Sequence, residues 1–286
     1  MRPPPPSLLD HVELRPQAPF GLLVEARTGD ARLDELPAKL LLDKAREHRL
    51  LLLRGFVPFA DARQLTAFGE YLGDVPIWSF GPILELVEHE HPADGVFGNN
   101  WLPFHWDGMF LDRIPEFQVF QCIYAPGDGQ GGRTVFSDTT LVLADLPADS
   151  RSVWEATEVV YTVAKKAHYG GLVRSPLVVP HPDRSFPTLR YHEPVPAEMA
   201  YPNPVTLRYE GIRPDEVPRV EQTVREALYH PRHAYTHDWH TGDVVIADNY
   251  TLLHARESYT RHCNRHLRRV HVMGDPPLTN PALPRP

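Results

Sequence analysis

The sequence predicts a mainly β fold with added helices: a β-sandwich or jelly roll with helical flanks. The 31 prolines of the 286-residue chain are spread along its length, which suits short strands and structured loops better than a helical bundle. Short apolar runs bounded by turn residues occur in both halves of the chain. Helical periodicity is confined to the early and middle parts. We expect one domain over residues 1–286, with residues 1–15 as a flexible N-terminal segment.

The first half of the chain combines helices with short strands. We predict a helix over residues 36–49, followed at once by an apolar strand over residues 50–53. A second helix, over residues 61–72, carries apolar side chains at spacings of three and four and ends at a glycine. Strands are predicted over residues 117–124, just before a Pro-Gly-Asp-Gly turn, and over residues 133–137.

For the second half of the chain, the sequence predicts one helix and two strands, the first of them buried. Val220, Val224 and Leu228 lie in register within a helix over residues 217–228. The run DVVIAD, residues 243–248, is typical of a buried strand, and residues 268–273 alternate as a last strand. Strands in both halves with helices between them favour a single sandwich or jelly roll.

Composition and charge argue against several functional classes. The net charge of −8, from 29 basic and 37 acidic residues, lacks the basic footprint of a nucleic-acid binder. No apolar run approaches the ~20 residues of a transmembrane helix, and the N-terminus MRPPPPS has no apolar segment of a secretory signal. Two cysteines are too few for a disulfide framework. We therefore expect a cytoplasmic protein that binds neither nucleic acid nor membranes.

The segment Phe-His-Trp-Asp, residues 104–107, indicates a metal site. Side chains alternate on a strand, so His105 and Asp107 are expected to point the same way. His254, just after the DVVIAD strand, is the best candidate for a third ligand. Two histidines and one carboxylate, with three open positions, are typical of non-haem Fe(II) oxygenases. A His-x-Asp pair also occurs by chance, so a non-catalytic metal-binding jelly roll and a zinc hydrolase remain alternatives.

An arginine downstream of the third ligand favours the oxygenase. A 2-oxoacid bound to iron leaves a distal carboxylate, for which a bidentate arginine is the best partner. Arg269 lies fifteen residues past His254, and Thr134 offers a hydroxyl to the same carboxylate. Arg265 and Arg268 are the alternatives. A zinc hydrolase has no use for such an arginine.

The ordered set of motifs resembles the taurine dioxygenase family. The set is HxD, GGRT, the pattern W-x-x-GD-x-x-x-x-DN, a histidine and R-x-x-x-R, and it spans most of the chain. Members of this family are Fe(II)/2-oxoglutarate-dependent oxygenases with a double-stranded β-helix core. The resemblance implies Fe(II) at His105, Asp107 and His254, with 2-oxoglutarate and O₂ as co-substrates. It also implies that Arg269 and Thr134 hold 2-oxoglutarate, and the retained aspartate disfavours halogenation.

A narrower group within this family is more similar still. The stretches FGLLVE, LLLLRGF, FGNNWLPFHWDGMF, PEFQVFQC, VIADNYTLLH and HLRRVH resemble the oxygenases of isocyanide (isonitrile) biosynthesis. The resemblance implies oxidative desaturation, with or without decarboxylation, of an isocyano aromatic amino acid such as tyrosine isonitrile. It also implies an isonitrile synthase as functional partner. Hydroxylation of a free or carrier-bound amino acid is the alternative.

Substrate contacts are expected around the HxD motif. In the family the substrate loop precedes that motif, which makes Asn99, Asn100 and Trp101 candidates. An aromatic slot has as its candidates Trp78, Phe80, Phe104, Met109 and Phe110. Core packing is the competing interpretation of these side chains. The substrate carboxylate needs a cation or donors, and the sequence does not choose among Lys165, Lys166, His168, Arg174 and Arg256.

Overall fold

The computed structural model describes residues 11–166 and 169–282, and it is mainly β with short helices. The strands are β1 (Val12–Pro16), β2 (Leu22–Ala26), β3 (Leu50–Arg54), β4 (Ile83–Leu86), β5 (Leu102–His105), β6 (Arg113–Ile114), β7 (Phe117–Tyr124), β8 (Thr134–Asp138), β9 (Glu158–Lys166), β10 (Tyr169–Pro176), β11 (Val178–Pro180), β12 (Pro187–Leu189), β13 (Thr206–Glu210), β14 (Ala234–His237), β15 (Val244–Asp248), β16 (Leu252–Arg256), β17 (His266–Val272) and β18 (Leu278–Thr279). The α-helices are α1 (Ala38–His48), α2 (Ala62–Leu72), α3 (Thr139–Asp145), α4 (Ala148–Ala156) and α5 (Val217–Tyr229).

Two sheets form the centre of the fold. A seven-stranded sheet has the order β1-β2-β3-β15-β7-β17-β4, and a four-stranded sheet has the order β14-β8-β16-β5. Strands β15 and β16 are consecutive in sequence but belong to different sheets. Apolar side chains from both sheets meet in one buried cluster that includes Phe120, Phe136, Trp239 and Leu252. The predicted jelly-roll class is confirmed.

Helices cover the other face of the large sheet. On β7 the side chains alternate, so Phe117 and Val119 point away from the second sheet and pack in a cluster with Leu65 and Phe68 of α2. Asp61 caps α2 by accepting a hydrogen bond from the backbone N–H of Gln64 at 3.0 Å. The predicted helices thus begin and end within about two residues of the observed ones.

The outer face of the small sheet is covered by the rest of the chain. Val135 and Leu253 share a buried cluster with Val224 of α5, Trp154 of α4 and Tyr161 of β9. Strand β9 lies between β10 and β13 in a separate three-stranded sheet. This layer supplies the segment after β12, which lies beside the site described below.

A few predictions differ from the structure. Residues 12–15, expected to be flexible, belong to β1, which pairs antiparallel with β2 along its full length; residues 1–10 lie outside the described residues. The last strand begins two residues earlier than predicted, at His266. None of the helices in the described part of the chain combines the length and apolar character that a membrane-spanning segment needs. A single domain for the whole chain stays a prediction.

Candidate active site

The register of the small sheet brings two histidines together. Strands β5 and β16 pair antiparallel with His105 directly opposite His254, and their rings lie 4.2 Å apart between centroids. Strand β5 ends at His105, so Asp107 lies in the following turn rather than two residues along the strand. One ligand atom from each of the three residues lies within 4.8 Å of the others. The structure therefore brings the predicted ligands together.

Asn249 holds the backbone of Asp107. Its side-chain oxygen accepts from the N–H of Asp107 at 3.0 Å, and its amide nitrogen donates back to the carbonyl of Asp107 at 3.0 Å. The same nitrogen donates to the carbonyl of Pro115 at 2.8 Å. Asn249 follows β15 directly, so the large sheet fixes the carboxylate ligand while the small sheet carries both histidines.

The histidine pair has the protonation state that a metal ion requires. The Nδ1 atom of His105 lies 2.8 Å from the carbonyl oxygen of Pro103. A carbonyl can only accept, so Nδ1 carries the hydrogen and Nε2 is left for a metal. Burial lowers the pKa of His105 and lowers that of His254 well below its ordinary value. Two neutral imidazoles and one carboxylate are a donor set that fits Fe(II).

The two oxygens of Asp107 have different surroundings. Oδ1 lies 3.7 Å from Nε2 of His105. Oδ2 lies 2.5 Å from Nη1 of Arg269 and 2.9 Å from Nε2 of His271, and it accepts a hydrogen bond of 2.5 Å from Gln118. Burial alone would raise the pKa of Asp107, but the Arg269 cation and the His271 hydrogen bond hold it well below its usual range. Asp107 is therefore a carboxylate at any physiological pH.

A cavity of about 380 Å³ opens next to these residues. Four of the predicted aromatic-slot residues line it: Trp78, Phe80, Met109 and Phe110. The rings of Trp78 and Phe80 are stacked, 6.0 Å apart and 7° from parallel. The predicted metal ligands His105 and Asp107 line the same cavity, as does Arg269. An apolar cavity with a few convergent polar groups is the usual form of a small-molecule site.

Four predicted substrate contacts lie elsewhere. Phe104 is fully buried and packs edge-on against Tyr229 at 4.7 Å. Trp101 donates its indole N–H to the Tyr229 hydroxyl at 3.0 Å and does not line the cavity. Asn100 is exposed and also lies outside the cavity lining, as does Asn99. The structure thus uses Phe104 for core packing, and the loop before HxD reaches the cavity through other residues.

Two of the cationic candidates, Arg256 and Arg174, contact other parts of the protein. Arg256 is buried and donates to backbone carbonyls of the loop before HxD, those of Val96, Gly98 and Asn100. Arg174 is an exposed residue that pairs with Glu210 at 2.7 Å. His168 and the side chains of Lys165 and Lys166 lie outside the described residues.

The two best-placed arginines occupy different surroundings. Arg269 lines the cavity and contacts a metal ligand. Arg265 is buried and donates its Nε–H to the carbonyl of Gly132 at 3.0 Å, two residues before Thr134. The Thr134 hydroxyl accepts from the indole N–H of Trp239 at 3.0 Å. Arg265, rather than Arg269, is therefore the arginine beside the GGRT segment.

Several residues at the site are absent from the sequence predictions. Gln118 and His271 contact Asp107, and the buried His192 lines the cavity with its ring 5.9 Å from that of His105. Burial lowers the pKa of His192 to about 3, so its imidazole is neutral. The alternation of β7 and β17 places Gln118 and His271 on the face that carries Arg269. The sequence alternation could have identified these two residues only if β7 and β17 were already known to be neighbouring strands.

Comparison with known proteins identifies the family. The model of the taurine catabolism dioxygenase TauD, TfdA family matches residues 14–271. The chain belongs to this family. It is 46% identical over 270 residues to a tyrosine isonitrile desaturase of Pseudomonas aeruginosa, covering 94% of this chain and 92% of the relative. It is 36% identical over 255 residues to a 3-((Z)-2-isocyanoethenyl)-1H-indole synthase of Fischerella ambigua, covering 89% of this chain and 93% of the relative.

A solved structure agrees with the family assignment. PvcB, an Fe, alpha-ketoglutarate dependent oxygenase from an isonitrile synthetic pathway, superposes with a TM-score of 0.81 at 43% identity, over 96% of each chain. The predictions of a dioxygenase of this family and of Fe(II) and 2-oxoglutarate as its cofactors are confirmed.

Proposed function

We propose that this protein is an Fe(II)/2-oxoglutarate-dependent desaturase of an isocyano aromatic amino acid, with tyrosine isonitrile as its substrate. The observation that carries the proposal is the His105–Asp107–His254 triad beside a cavity lined by aromatic rings and one arginine. The relatives of known activity support it, since one desaturates tyrosine isonitrile and another makes a vinyl isocyanide of indole, as their names state.

The triad would hold the iron, and the surrounding residues would position 2-oxoglutarate and the substrate. When bound, Fe(II) would let O₂ oxidise 2-oxoglutarate to succinate and CO₂, with one oxygen atom entering succinate. The other oxygen atom would leave as water, with two hydrogens of the substrate, or with one hydrogen and a solvent proton when the substrate also releases its carboxylate as CO₂. His105 and His254 bind as neutral imidazoles, and Asp107 offsets one of the two metal charges. Three coordination positions are left for 2-oxoglutarate and O₂.

We assign the distal carboxylate of 2-oxoglutarate to Arg265 with Thr134. Two methylene groups separate this carboxylate from the chelating keto acid, so its partner must stand away from the metal ligands. Arg269 touches a metal ligand, whereas Arg265 lies beside the GGRT segment. Arg265 is buried, and no carboxylate among the described residues forms a salt bridge with it. A buried cation without an anion favours an anionic ligand.

Arg269 then serves the substrate. Arg269 lines the cavity, and its guanidinium can donate two hydrogen bonds to the carboxylate of the isocyano acid in a bidentate pair. The aromatic ring of the substrate would pack against Trp78 and Phe80, with the benzylic carbon towards the metal ligands. Desaturation rather than hydroxylation requires that the substrate be held so that no oxygen atom is transferred to this carbon. A small change in the position of the carbon would therefore change the product.

The proposed reaction also defines a functional partner. An isonitrile synthase must supply the isocyano acid, because the proposed desaturation starts from an isocyanide that is already formed. We place both enzymes in the cytoplasm, where 2-oxoglutarate and Fe(II) are available.

The test is an anaerobic-to-aerobic assay with Fe(II), 2-oxoglutarate and synthetic tyrosine isonitrile, followed by mass spectrometry. Loss of two hydrogens, with or without CO₂, would support the proposal and identify the product branch. Gain of one oxygen would make the protein a hydroxylase. Turnover of tryptophan isonitrile in preference to the tyrosine compound would correct the substrate. Absence of succinate with either compound would contradict the proposal.

A further inference from the structure

The second oxygen of the metal-binding carboxylate is surrounded by donors. Oδ2 of Asp107 accepts from Gln118 at 2.5 Å and from His271 at 2.9 Å, and the Arg269 cation contacts it as well. A carboxylate oxygen has two lone pairs, so these three donors leave Oδ2 no lone pair for a metal ion. Oδ1 is the oxygen that faces His105.

The large sheet builds this arrangement. Gln118 on β7 and His271 on β17 are directly opposite each other in the antiparallel register, and Arg269 lies two residues from His271 on the same face. All three side chains therefore point between the two sheets, towards the turn that carries Asp107. Gln118 is 1% exposed, so its amide is a buried polar group that needs these partners.

The chemical consequence concerns the number of oxygens that the metal receives. A carboxylate binds a cation through one oxygen or through both. A two-oxygen mode would take one of the positions that 2-oxoglutarate and O₂ need. Hydrogen bonds to Oδ2 leave Oδ1 as the only oxygen for the metal and also fix the direction of its lone pairs.

We propose that Gln118 and His271 are positioning residues that restrict Asp107 to a one-oxygen ligand and thereby set metal affinity and keep three coordination positions open. The inference rests on the proposed function, because it needs the triad to be a metal site. Gln118 is suited to this task since it is neutral at every pH. Its amide nitrogen also lies 3.5 Å from both ring nitrogens of His254, so it spans two of the three ligands.

The test compares two glutamines on one strand. Gln118→Leu removes the donor to Oδ2. Gln121→Leu is the matched control, because Gln121 is equally buried on β7 but on the other face, where it donates to the carbonyl of Phe59 at 2.7 Å. Mn(II) binding to the metal-free full chain is titrated by electron paramagnetic resonance. We expect Gln118→Leu to bind Mn(II) about 10- to 100-fold more weakly, and Gln121→Leu to bind as the unaltered chain does.

His271→Phe gives a second arm, since it keeps a ring beside Trp78 and removes the donor. It is expected to weaken Mn(II) binding in the same range and to change the Co(II) ligand-field spectrum, which reports the number of ligands. Thermal unfolding midpoints of the metal-free variants show whether a variant has lost its fold or only its metal binding. If Gln118→Leu does not fold, the result for His271→Phe decides. Unchanged affinity and spectrum, or equal weakening by Gln121→Leu, would overturn the positioning role. Failure of the unaltered chain to bind Mn(II) would instead overturn the metal site and the proposed function with it.

Discussion

Replacement of Arg265 tests which arginine binds 2-oxoglutarate and which binds the isocyano substrate. We expect Arg265→Gln to raise the KM for 2-oxoglutarate and to leave the KM for the isocyano substrate nearly unchanged. Glutamine keeps a polar side chain of similar shape and removes the charge. In the described part of the chain, the side chain of Arg265 makes one hydrogen bond, from Nε to the carbonyl of Gly132. The substitution should therefore cost the fold little stability.

The size of the effect follows from the burial of the cation. Arg265 is 4% exposed, and burial, followed by the nearby Arg256 cation, lowers its pKa to about 9. A hydrogen bond to a charged partner contributes about 1.5–3 kcal/mol. Because about 1.4 kcal/mol corresponds to a factor of ten, the KM for 2-oxoglutarate should rise about 10- to 150-fold.

The assay is succinate formation against 2-oxoglutarate concentration at saturating isocyano substrate, repeated against substrate at saturating 2-oxoglutarate. Arg269→Gln is the matched variant, and it should raise the KM for the isocyano substrate instead. The opposite pattern, an unchanged 2-oxoglutarate KM in Arg265→Gln and a large rise in Arg269→Gln, would refute the reasoning and return the distal carboxylate to Arg269. Thermal unfolding of both variants checks that neither has lost its fold.

Three other predictions concern the metal, the cavity wall and stability. His254→Ala should lose most bound Fe(II), because it removes one of three ligands; metal content after anaerobic desalting checks this. Gly95→Ala should raise the substrate KM while sparing that for 2-oxoglutarate, because a methyl group there would overlap the hydroxyl of the cavity residue Tyr201; steady-state kinetics decide. Asp243→Asn should destabilise the fold by about 2 kcal/mol at pH 7, since it removes the charge of a buried carboxylate that pairs with the half-buried Arg54. Burial alone would raise the pKa of Asp243, but the hydrogen bond from Arg54 holds it below its ordinary value. The stabilisation is therefore full above about pH 4 and is lost as the pH falls, and urea unfolding at several pH values should show this loss in the unaltered chain alone.

Local patterns in the sequence were sufficient to predict helices α1, α2 and α5, several of the strands and the candidate metal ligands, but not helices α3 and α4. Helix α2 follows from its apolar spacing and its Asp61 cap, and β7 from an apolar run that ends at a turn. The ligand trio was recognisable because a His-x-Asp pair and a later histidine lie in a fixed order with the other family motifs. Each of these motifs consists of a few neighbouring residues, so it can be recognised in the sequence before the fold is known.

Tertiary structure alone decided the surroundings of those ligands. The positions of Arg265 and Arg269 differ because Arg265 precedes β17 and meets the carbonyl of Gly132, whereas Arg269 lies within β17 and meets Asp107. The roles of Gln118 and His271 arise from the pairing of β7 with β17, strands about 150 residues apart in the chain. Sequence by itself determined which residues can bind the metal, whereas the strand order determined which groups hold those residues, because register between distant strands is set by the packing of the whole core.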